Sequence, residues 1–380
     1  MNHPPAYPLQ PAQNGLSRFG FVVHPLDMQD VIRYEPKAAN KREALVEKIL
    51  EWMPAYKVSH ITGIRSITGC EAEGWFLGCT FTPNQFLAFP REKIYHKIIS
   101  AAKIGESLGA KIVGLGGFTS VVGDAGRTIA KNVNIAVTSG NSYTIATALE
   151  GALAAAKAMD IDIKNANAVI IGATGSIGSA CAKILAKDVA NLTIVARHLT
   201  RLCRVAENIK EFSGKTVEVE TDLEKALRVA DIVISASSSG GGIIRSGYLK
   251  PGVVVCDVAL PHDVCREVAE LRDDVLVIEG GLVEVPGNVN FNFDFGYPPT
   301  VALACMSETM ILALEQRYEN FSLGRRIEVD RIVEITALAK NHGFKLAGFR
   351  SFDRQITKEQ VADIKSQAFK RAKGVKFSTG

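Results

Sequence analysis

Apolar and polar positions follow two different patterns along the chain, and the change lies near residue 165. In the first part, short apolar runs alternate irregularly with segments of helical spacing. In chain order they predict strands at 18–23, 58–67, 74–81, 111–115 and 133–137, helices at 41–52 and 91–108, and an alanine-rich helix that ends near 159. The second and third strands flank glycine and polar residues, which is typical of a hairpin.

From residue 166 the pattern becomes a regular alternation of strand and helix. Apolar strands are predicted at 168–171, 192–196, 217–219, 232–236, 253–258 and 275–278. Six short buried strands, mostly separated by helical segments, indicate a doubly wound parallel sheet. A loop rich in glycine and asparagine (280–299) then leads to two predicted helices, at 300–318 and 329–342.

The 380 residues are enough for two or three domains, and 47% hydrophobic with 22% charged residues excludes a disordered or fibrous chain. No apolar run approaches the ~20 residues of a membrane-spanning helix. The first 13 residues lack the pattern of a secretory signal, so a cytoplasmic protein without a membrane span is predicted. The seven cysteines and seven histidines are scattered, which predicts neither a disulfide framework nor a metal site.

Positive charge is concentrated in the last 36 residues, which hold nine basic and three acidic side chains. Since the whole chain has a net charge of +4, the rest is slightly acidic, and no nucleic-acid partner is predicted. The basic segment is interpreted as a solvated tail. The alternative is a surface that attracts an acidic protein.

A glycine-rich turn follows the strand at 168–171 and opens the next helix. Residues 172–178 have the sequence G-A-T-G-S-I-G, a variant of the dinucleotide-binding fingerprint. Glycines let the backbone approach a pyrophosphate, which the free amides of the helix N-terminus then bind. The predicted contacts in the turn are Gly172, Ala173, Thr174, Gly175, Ser176 and Ile177. A tight turn without a ligand is the alternative.

Arg197, after the second strand of this sheet, indicates which dinucleotide is bound. An acidic residue there favours NAD, whereas arginine favours the 2′-phosphate of NADP. Arg197, with Arg201 one helical turn further on, therefore predicts NADPH, a solvated surface arginine being the alternative. Ser237 and Gly280, after the fourth and sixth strands, complete the predicted cofactor contacts, although plain turns have the same composition.

These patterns predict an α/β protein with an N-terminal α/β substrate domain and a doubly wound, Rossmann-like NADP-binding domain. A segment that follows such a cofactor sheet often packs back across the cleft, where the last helices are expected. The predicted boundaries are a loose arm at 1–17, the substrate domain at 18–160, the NADP-binding domain at 161–299, the C-terminal helices at 300–345 and the basic tail at 346–380.

Cys305 is the candidate nucleophile, because it lies near the start of the helix predicted at 300–318. A thiol near a helix N-terminus has a lowered pKa and is a better nucleophile. Helical spacing places Cys305 about 140° from the centre of the apolar stripe, away from the main core. Spacing alone still favours the simpler interpretation, a packed cysteine.

A series of stretches in one order carries a resemblance to a known family. They are 115–120 (LGGFTS), 138–142 (TSGNS), 171–180 (IGATGSIGSA), 196–197 (AR), and a match from 304–305 (AC) through 320–322 (NFS) to 342–344 (HGF). In these the chain resembles the cyanobacterial long-chain acyl-[acyl-carrier-protein] reductases, which make fatty aldehydes from acyl thioesters with NADPH. The first ninety residues match poorly, and the residues after about 348 extend beyond the resemblance.

The resemblance implies that Cys305 is the nucleophile and, from a stretch aligned one residue out of step, that Lys93 lies near the active site. The thiolate attacks an acyl thioester, the carrier thiol leaves, and NADPH reduces the enzyme thioester to an aldehyde. Acyl carrier protein or CoA is the implied carrier, and homo-oligomerisation stays open. Amides of the Gly116-Gly117 turn or the side chain of Asn141 are candidate oxyanion donors, a tight turn and a helix N-cap being the alternatives.

Two other functions fit the same features. One is an NADP-dependent dehydrogenase of the shikimate or amino-acid type, which acts on a small hydroxy or amino substrate with Lys93 as acid and base and no covalent step. The other is a non-catalytic NADP-binding protein. Turnover depends on the Cys305 thiol only in the acyl-thioester reductase, so this dependence distinguishes that function from the other two.

Overall fold

The computed structural model describes residues 15–352 and 354–375. The strands in these residues are β1 (Ser17–Val23), β2 (Tyr56–Arg65), β3 (Glu71–Gly78), β4 (Ile112–Leu115), β5 (Ala136–Thr138), β6 (Asn167–Ile171), β7 (Asn191–Val195), β8 (Glu218–Glu220), β9 (Ile232–Ser235), β10 (Val254–Asp257), β11 (Leu276–Glu279), β12 (Leu282–Glu284), β13 (Gly287–Asn290), β14 (Val301–Leu303), β15 (Lys345–Leu346), β16 (Arg350–Ser351) and β17 (Arg354–Gln355). The helices are α1 (Met28–Tyr34), α2 (Glu43–Trp52), α3 (Pro83–Ala88), α4 (Arg91–Ser107), α5 (Phe118–Val121), α6 (Arg127–Ala130), α7 (Asn141–Ala158), α8 (Ser176–Leu185), α9 (Leu199–Ser213), α10 (Leu223–Leu227), α11 (Arg266–Leu271), α12 (Ala304–Leu314), α13 (Val329–His342) and α14 (Lys358–Val375). In this part of the chain, every helix is too short or too polar to cross a bilayer.

The chain forms two compact units, and each is discontinuous in sequence. The first contains the residues up to Tyr143 together with Val283–Lys345, and the second contains Thr144–Leu282 and the residues from Leu346 onward. Helices α12 and α13 therefore belong to the first unit, although the sheet of the second unit precedes them in sequence. Cys305 is thus built into the unit that the N-terminal residues form.

A six-stranded sheet, in the order β13-β2-β3-β1-β4-β5, is the framework of the first unit. Strand β1 is parallel to β3 and β4, β4 is parallel to β5, and β2 is antiparallel to β3, which confirms the predicted hairpin. Neighbouring side chains on a strand point to opposite faces. Helix α4 covers the face of Val22 and Val113, and α12 covers the face of Phe21 and Gly114.

The second unit contains a six-stranded sheet in the order β11-β10-β9-β6-β7-β8, and every neighbouring pair is parallel. The strand order reverses between β6 and β9, which is the doubly wound arrangement. The predicted fold class is therefore confirmed. In such sheets, ligands bind at the carboxyl ends of the strands beside this reversal, where β6 leads into the glycine-rich turn.

The helix predicted at 300–318 is wrong at both ends. Its first residues form β14, and α12 begins only at Ala304. At the other end, Gln316 has a left-handed φ of +53°. The Gln316 amide donates to Ala313 O and the Arg317 amide to Leu312 O, both at 2.9 Å, which is the hydrogen-bond pattern of a Schellman cap. This cap ends the helix despite the apolar spacing that continues through it.

The basic C-terminal segment, interpreted as a solvated tail, contains the 18-residue helix α14. Val361 and Ala368 of this helix are buried. Lys365 Nζ lies 2.6 Å from an Asp160 carboxylate oxygen, and Arg371 donates to Asp273 at 2.5 Å. Part of the positive charge of this segment is therefore paired with acidic residues of the second unit. This pairing weakens the case for the segment as a docking site for an acidic protein. Most of the predicted arm at 1–17 lies outside the described residues.

Candidate active site

The segment after β5 and the segment around Phe321 lie side by side in the first unit. Thr138 forms a parallel bridge with Phe321, and the Phe321 amide donates to Val137 O at 3.0 Å. The Val137 amide donates in turn to Asn320 Oδ1 at 2.9 Å. These contacts join two of the stretches that carry the family resemblance.

Three buried serines strengthen the same junction. Ser139 Oγ donates to the Ser322 carbonyl oxygen, and Ser322 Oγ donates to Ser142 Oγ at 2.6 Å. The Ser142 amide donates to Ser322 Oγ at 3.2 Å. Ser322 has a φ of +54°, which few residues other than glycine adopt, and these bonds hold it in that conformation. Because all three side chains are buried, water does not compete for the bonds.

Cys305 is the second residue of α12 and is partly buried. Gly140 lies directly against it, because a Cβ added at Gly140 would fall far inside contact distance of Cys305 Cα and Cβ. Gly140 also has a φ of +74°, a left-handed conformation that glycine adopts without strain. The stretch after β5 therefore needs glycine here so that its backbone can approach the cysteine.

Burial raises the pKa of the Cys305 thiol to about 12. The amides of Met306 and of Cys305 itself, at the helix N-terminus, lower the pKa but do not outweigh burial, and the Glu308 carboxylate raises it further. The expected lowering of this pKa is therefore wrong for the protein without substrate. Since an acid with a raised pKa loses its proton only at higher pH, the thiolate is the minor form at neutral pH and increases as the pH rises.

Glu308, one helical turn after Cys305, is fully buried and holds the segment after β5 in place. Its carboxylate accepts hydrogen bonds from Thr138 Oγ1 and, at 2.8 Å, from the Tyr143 amide. Thr138 Oγ1 accepts from the Gly140 amide at 3.2 Å. Burial raises the pKa of Glu308, because the charged form loses hydration that these bonds replace only in part.

Glu308 is a site residue that the sequence analysis does not single out, although a signal is present. It is the one charged residue of α12, and its neighbours from Met306 to Leu314 are all buried. A carboxylate in such a helix must find hydrogen-bond donors. Its partners lie 165 and 170 residues away in sequence, however, and no local pattern identifies them.

The glycine turn at 116–117, a candidate source of oxyanion donors, is held by its own surroundings. The Gly116 amide donates to Val22 O at 3.0 Å, and the Phe118 amide donates to His24 Nε2 at 2.9 Å. Burial lowers the pKa of His24 to about 4, so the ring is neutral and accepts this bond. The Gly116 amide is therefore used by the sheet and is not available as an oxyanion donor, whereas the Gly117 amide and the Asn141 side chain stay predictions.

Lys93, the second predicted catalytic residue, lies on α4 and its ammonium group has two partners. Nζ donates to Glu51 Oε1 at 2.6 Å and lies 3.9 Å from the centre of the Phe89 ring. Neither partner comes from the stretches that surround Cys305. A role for Lys93 as an acid or base stays a prediction.

In the second unit, the turn at 172–178 has the close packing that its glycines predict. Gly172 has a φ of +75°, and a Cβ added there would lie 2.5 Å from the Ala236 carbonyl oxygen. A Cβ added at Gly178 would lie 2.5 Å from the Gly172 carbonyl oxygen. The turn is therefore as tight as a pyrophosphate-binding loop, and larger residues would open it.

The same turn leaves the start of α8 accessible to a ligand. Thr174 and Gly175 are exposed, and no side chain of the described residues caps α8 at Gly175. The backbone amides of a helix's first turn, such as that of Ile177 here, are not used by the hydrogen bonds within the helix. The residues present thus fit a dinucleotide pyrophosphate.

Arg197 and Arg201 are exposed around the start of α9, directly after β7, and neither forms an ion pair with another described residue. An arginine that is free to rotate at this position fits the 2′-phosphate of NADP better than the 2′-hydroxyl of NAD. Strand β7 ends at Val195 without an acidic residue that would favour NAD.

Ser237 and Gly280 have structural partners of their own. The Ser237 amide and Oγ both donate to the buried carboxylate of Asp263, at 3.1 and 2.7 Å. A Cβ added at Gly280 would lie 2.8 Å from both Cys256 Sγ and Val258 Cγ2, so packing requires glycine there. Their contacts with the cofactor stay predictions. Asp263, which shapes the serine-rich loop after β9, has no signal in the sequence.

Comparisons with known proteins extend the description of both units. The family model of shikimate / quinate 5-dehydrogenase matches residues 152–279, which include the whole parallel sheet of the second unit. The aminotransferase PigE of Serratia sp. is 31% identical over 366 residues, which cover 92% of this chain and 42% of that protein. The chain therefore spans less than half the length of PigE.

Two reductases are also similar to this chain. The long-chain acyl-[acyl-carrier-protein] reductase of Synechococcus elongatus is 29% identical over 307 residues, which cover 77% of this chain and 87% of that protein. The glutamyl-tRNA reductase of Psychromonas ingrahamii is 29% identical over 155 residues, or 38% of this chain and 35% of that protein. Similarity to both reductases extends beyond a single shared motif.

The fold, the glycine turn and these similarities are those of oxidoreductases that use NADP. The prediction of NADPH as cofactor is confirmed. Within that class, the chain is similar to the two reductases named above.

Proposed function

We propose that the protein reduces an acyl thioester to an aldehyde with NADPH, through an acyl group held covalently on Cys305. The observation that carries this proposal is the construction of the site around the thiol. The segment after β5 and the start of α12 are far apart in sequence but meet at Cys305. The left-handed Gly140 and the buried Glu308 both hold the backbone of that segment against Cys305. A cysteine that only fills space needs neither.

The proposed chemistry uses one thiol and two electrons. Cys305 loses its proton, its Sγ bonds to the carbonyl carbon of the acyl thioester, and the carrier thiolate leaves and takes up a proton. The enzyme thioester that results is about as reactive as the substrate. When bound, NADPH supplies the hydride that reduces this carbonyl to the aldehyde level. Release of the aldehyde breaks the carbon–sulfur bond, and Cys305 recovers a proton.

Glu308 and Gly140 act as positioning residues in this proposal. Glu308 holds Thr138 and the Tyr143 amide, and Thr138 holds the Gly140 amide, so the backbone next to Cys305 is fixed from two sides. Fixed geometry at a nucleophile is worth orders of magnitude in rate, because the reacting atoms are already aligned.

An apolar and aromatic part of the core lies beneath α12, next to the site. Phe76, Phe21, Gly114 and Thr138 are paired neighbours on β3, β1, β4 and β5 and form one row across the sheet, on the face of α12. Aromatic residues of the segment 291–297 contact Phe76 at one end of this row, and Thr138 binds Glu308 at the other. The choice of an acyl substrate is supported by the similarity to the acyl-[acyl-carrier-protein] reductase.

The second candidate function is a dehydrogenase that acts on a small hydroxy or amino substrate, and the family match at 152–279 favours it. That match lies within the sequence of the cofactor unit and includes none of the residues around Cys305. The similarity to the acyl-[acyl-carrier-protein] reductase covers 77% of the chain. The acyl-thioester reductase is therefore supported by similarity over a larger part of the chain than the small-substrate dehydrogenase is.

Product analysis distinguishes the two candidates. Incubation with NADPH and either palmitoyl-CoA or palmitoyl-[acyl-carrier protein] is expected to release palmitaldehyde and to consume one NADPH per aldehyde, and the faster substrate identifies the carrier. NADP and shikimate, in a parallel reaction, are expected to give no NADPH. Oxidation of shikimate or of a small amino acid, without aldehyde from either thioester, would support the second candidate.

The double variant Arg197→Ala/Arg201→Ala is expected to bind NADPH about 10- to 100-fold more weakly and to bind NADH unchanged. Charge-assisted hydrogen bonds to the 2′-phosphate contribute about 1.5–3 kcal/mol, and NADH has no such phosphate. Titration followed by nicotinamide fluorescence measures both affinities. Arg204→Ala, also exposed on α9, is the matched control. If the affinities for NADPH and NADH fell equally, the two arginines would not be binding the 2′-phosphate.

A further inference from the structure

Helix α2 in the first unit presents an apolar stripe to solvent. Leu45 and Ile49 are each 51% exposed and Trp52 is 75% exposed, whereas Val46, about 90° around the helix axis from their centre, is buried. With 3.6 residues per turn, the three exposed side chains fall within about 60° of one another around the helix axis. Single exposed apolar residues are ordinary, but three on one stripe of a ten-residue helix form a continuous surface.

Basic residues lie beside the α2 stripe. Lys48 flanks it, with Nζ 5.5 Å from the centre of the Trp52 ring and 3.0 Å from Glu51 Oε2. Lys41 and Arg42 come directly before the helix and are exposed. Lys48 is therefore paired with an acidic residue, whereas Lys41 and Arg42, which form no ion pair with another described residue, border the stripe with positive charge.

The acidic residues of α2 lie away from the stripe. At 100° per residue, Glu43, Glu47 and Glu51 are all more than about 100° from its centre. Glu47 accepts a hydrogen bond from Thr82 Oγ1 at 3.0 Å, and Glu51 accepts one from Lys93 at 2.6 Å and one from Lys48 at 3.0 Å. Their negative charge is thus partly neutralised on the side of the helix that faces the rest of the unit.

We propose that the α2 stripe, defined as Leu45, Ile49 and Trp52, docks the protein on the surface of a negatively charged lipid bilayer. A helix with leucine and tryptophan on one side and lysines beside them inserts its apolar side at the boundary between headgroups and acyl chains. Three side chains are far fewer than the 20–30 residues per partner of a stable protein interface, which counts against a second protein. If the proposed function holds, docking also places the enzyme where a long-chain aldehyde partitions.

The two tryptophans of the chain give a direct readout. Trp75 is buried and stacks on His60, with ring centres 5.4 Å apart, whereas Trp52 lies in the stripe. In the variant Trp75→Phe, emission therefore reports on Trp52 alone. Vesicles of phosphatidylcholine with a quarter of phosphatidylglycerol are expected to shift this emission to the blue. Lipids brominated on the acyl chain are expected to quench it.

Co-sedimentation of the wild-type protein with the same vesicles, without thioester or NADPH, gives an affinity that is independent of the reductase proposal. The variant Leu45→Gln/Ile49→Gln is expected to bind at least about tenfold more weakly. Lys41→Gln is expected to bind about fivefold more weakly, as is wild type at raised salt. The control Val229→Gln/Leu271→Gln removes two equally exposed apolar side chains from the second unit and is expected to bind as wild type.

Three results would overturn the proposal. One is that wild type does not sediment with phosphatidylglycerol vesicles. Another is that the α2 and control variants bind equally well. The third is that Trp52 emission is already blue-shifted without vesicles and that light scattering shows a dimer which Leu45→Gln/Ile49→Gln dissociates. In that last case the stripe is an interface between two copies of the chain.

Discussion

Replacement of Cys305 by alanine is expected to lower kcat/KM for the acyl thioester by at least about 10³-fold while NADPH still binds with wild-type affinity. The reason is that the proposed route has no step without the thiol, and loss of a nucleophile removes the covalent path entirely. Aldehyde formation followed by NADPH absorbance measures the rate, and fluorescence titration measures the affinity. Cys203→Ala, which removes an exposed thiol on α9, is the control and is expected to keep full activity.

The pH dependence of wild type provides a second test of the same role. The pKa of Cys305 is raised to about 12, so the thiolate fraction of the free enzyme increases through the neutral and mildly alkaline range. We expect kcat/KM for the thioester to increase with pH between about pH 6 and 9, because this parameter reports on groups of the free enzyme. A Cys305→Ala variant with substantial activity and the same pH profile as wild type would contradict the role of this thiol.

Gly140→Ala is expected to lower the free energy of unfolding by about 3 kcal/mol and to reduce turnover at least about 100-fold. The new methyl group overlaps Cys305 Cα and Cβ and also forces alanine to keep a φ of +74°, so overpacking and backbone strain add. Displacement of a nucleophile by about 1 Å costs about two orders of magnitude in rate. Denaturant unfolding and the aldehyde assay measure the two effects.

The variant Gly214→Ala distinguishes the effect of overpacking from the effect of backbone strain. Gly214, at the end of α9, has the same φ of +74°, but nothing lies within 4 Å of an added Cβ. We expect a loss of about 1–2 kcal/mol from strain alone and no change in turnover per folded molecule. Equal losses of stability and activity in the two variants would mean that contact with Cys305 is not what requires glycine at position 140.

The parallel sheet of the second unit could be predicted from the sequence because all its strands except the edge strand β8 are buried on both faces. Each one is then a short, nearly continuous apolar run, as Ala168–Ile171 and Ile232–Ser235 show. Helix α13 was also predicted with its observed bounds, since Gly343 follows it in a left-handed conformation and ends it. Local signals of this kind suffice where neighbouring residues determine the structure.

The site around Cys305 could be predicted only in part, because long-range contacts build it. The motifs pointed to the cysteine and to the stretch after β5, but nothing local shows that Glu308 binds Thr138 or that Gly140 packs on Cys305. The direction of the thiol pKa was wrong for the same reason. Position near a helix N-terminus is visible in the sequence, whereas the burial that outweighs it results from the surrounding fold.

Intact-protein mass spectrometry tests the covalent route most directly. Wild type and Cys305→Ala are each mixed with a palmitoyl thioester in the absence of NADPH. We expect a mass gain of one palmitoyl group in wild type alone, and conversion of that group to palmitaldehyde when NADPH is added. A gain in both proteins, or none in wild type under conditions that support aldehyde formation, would contradict it.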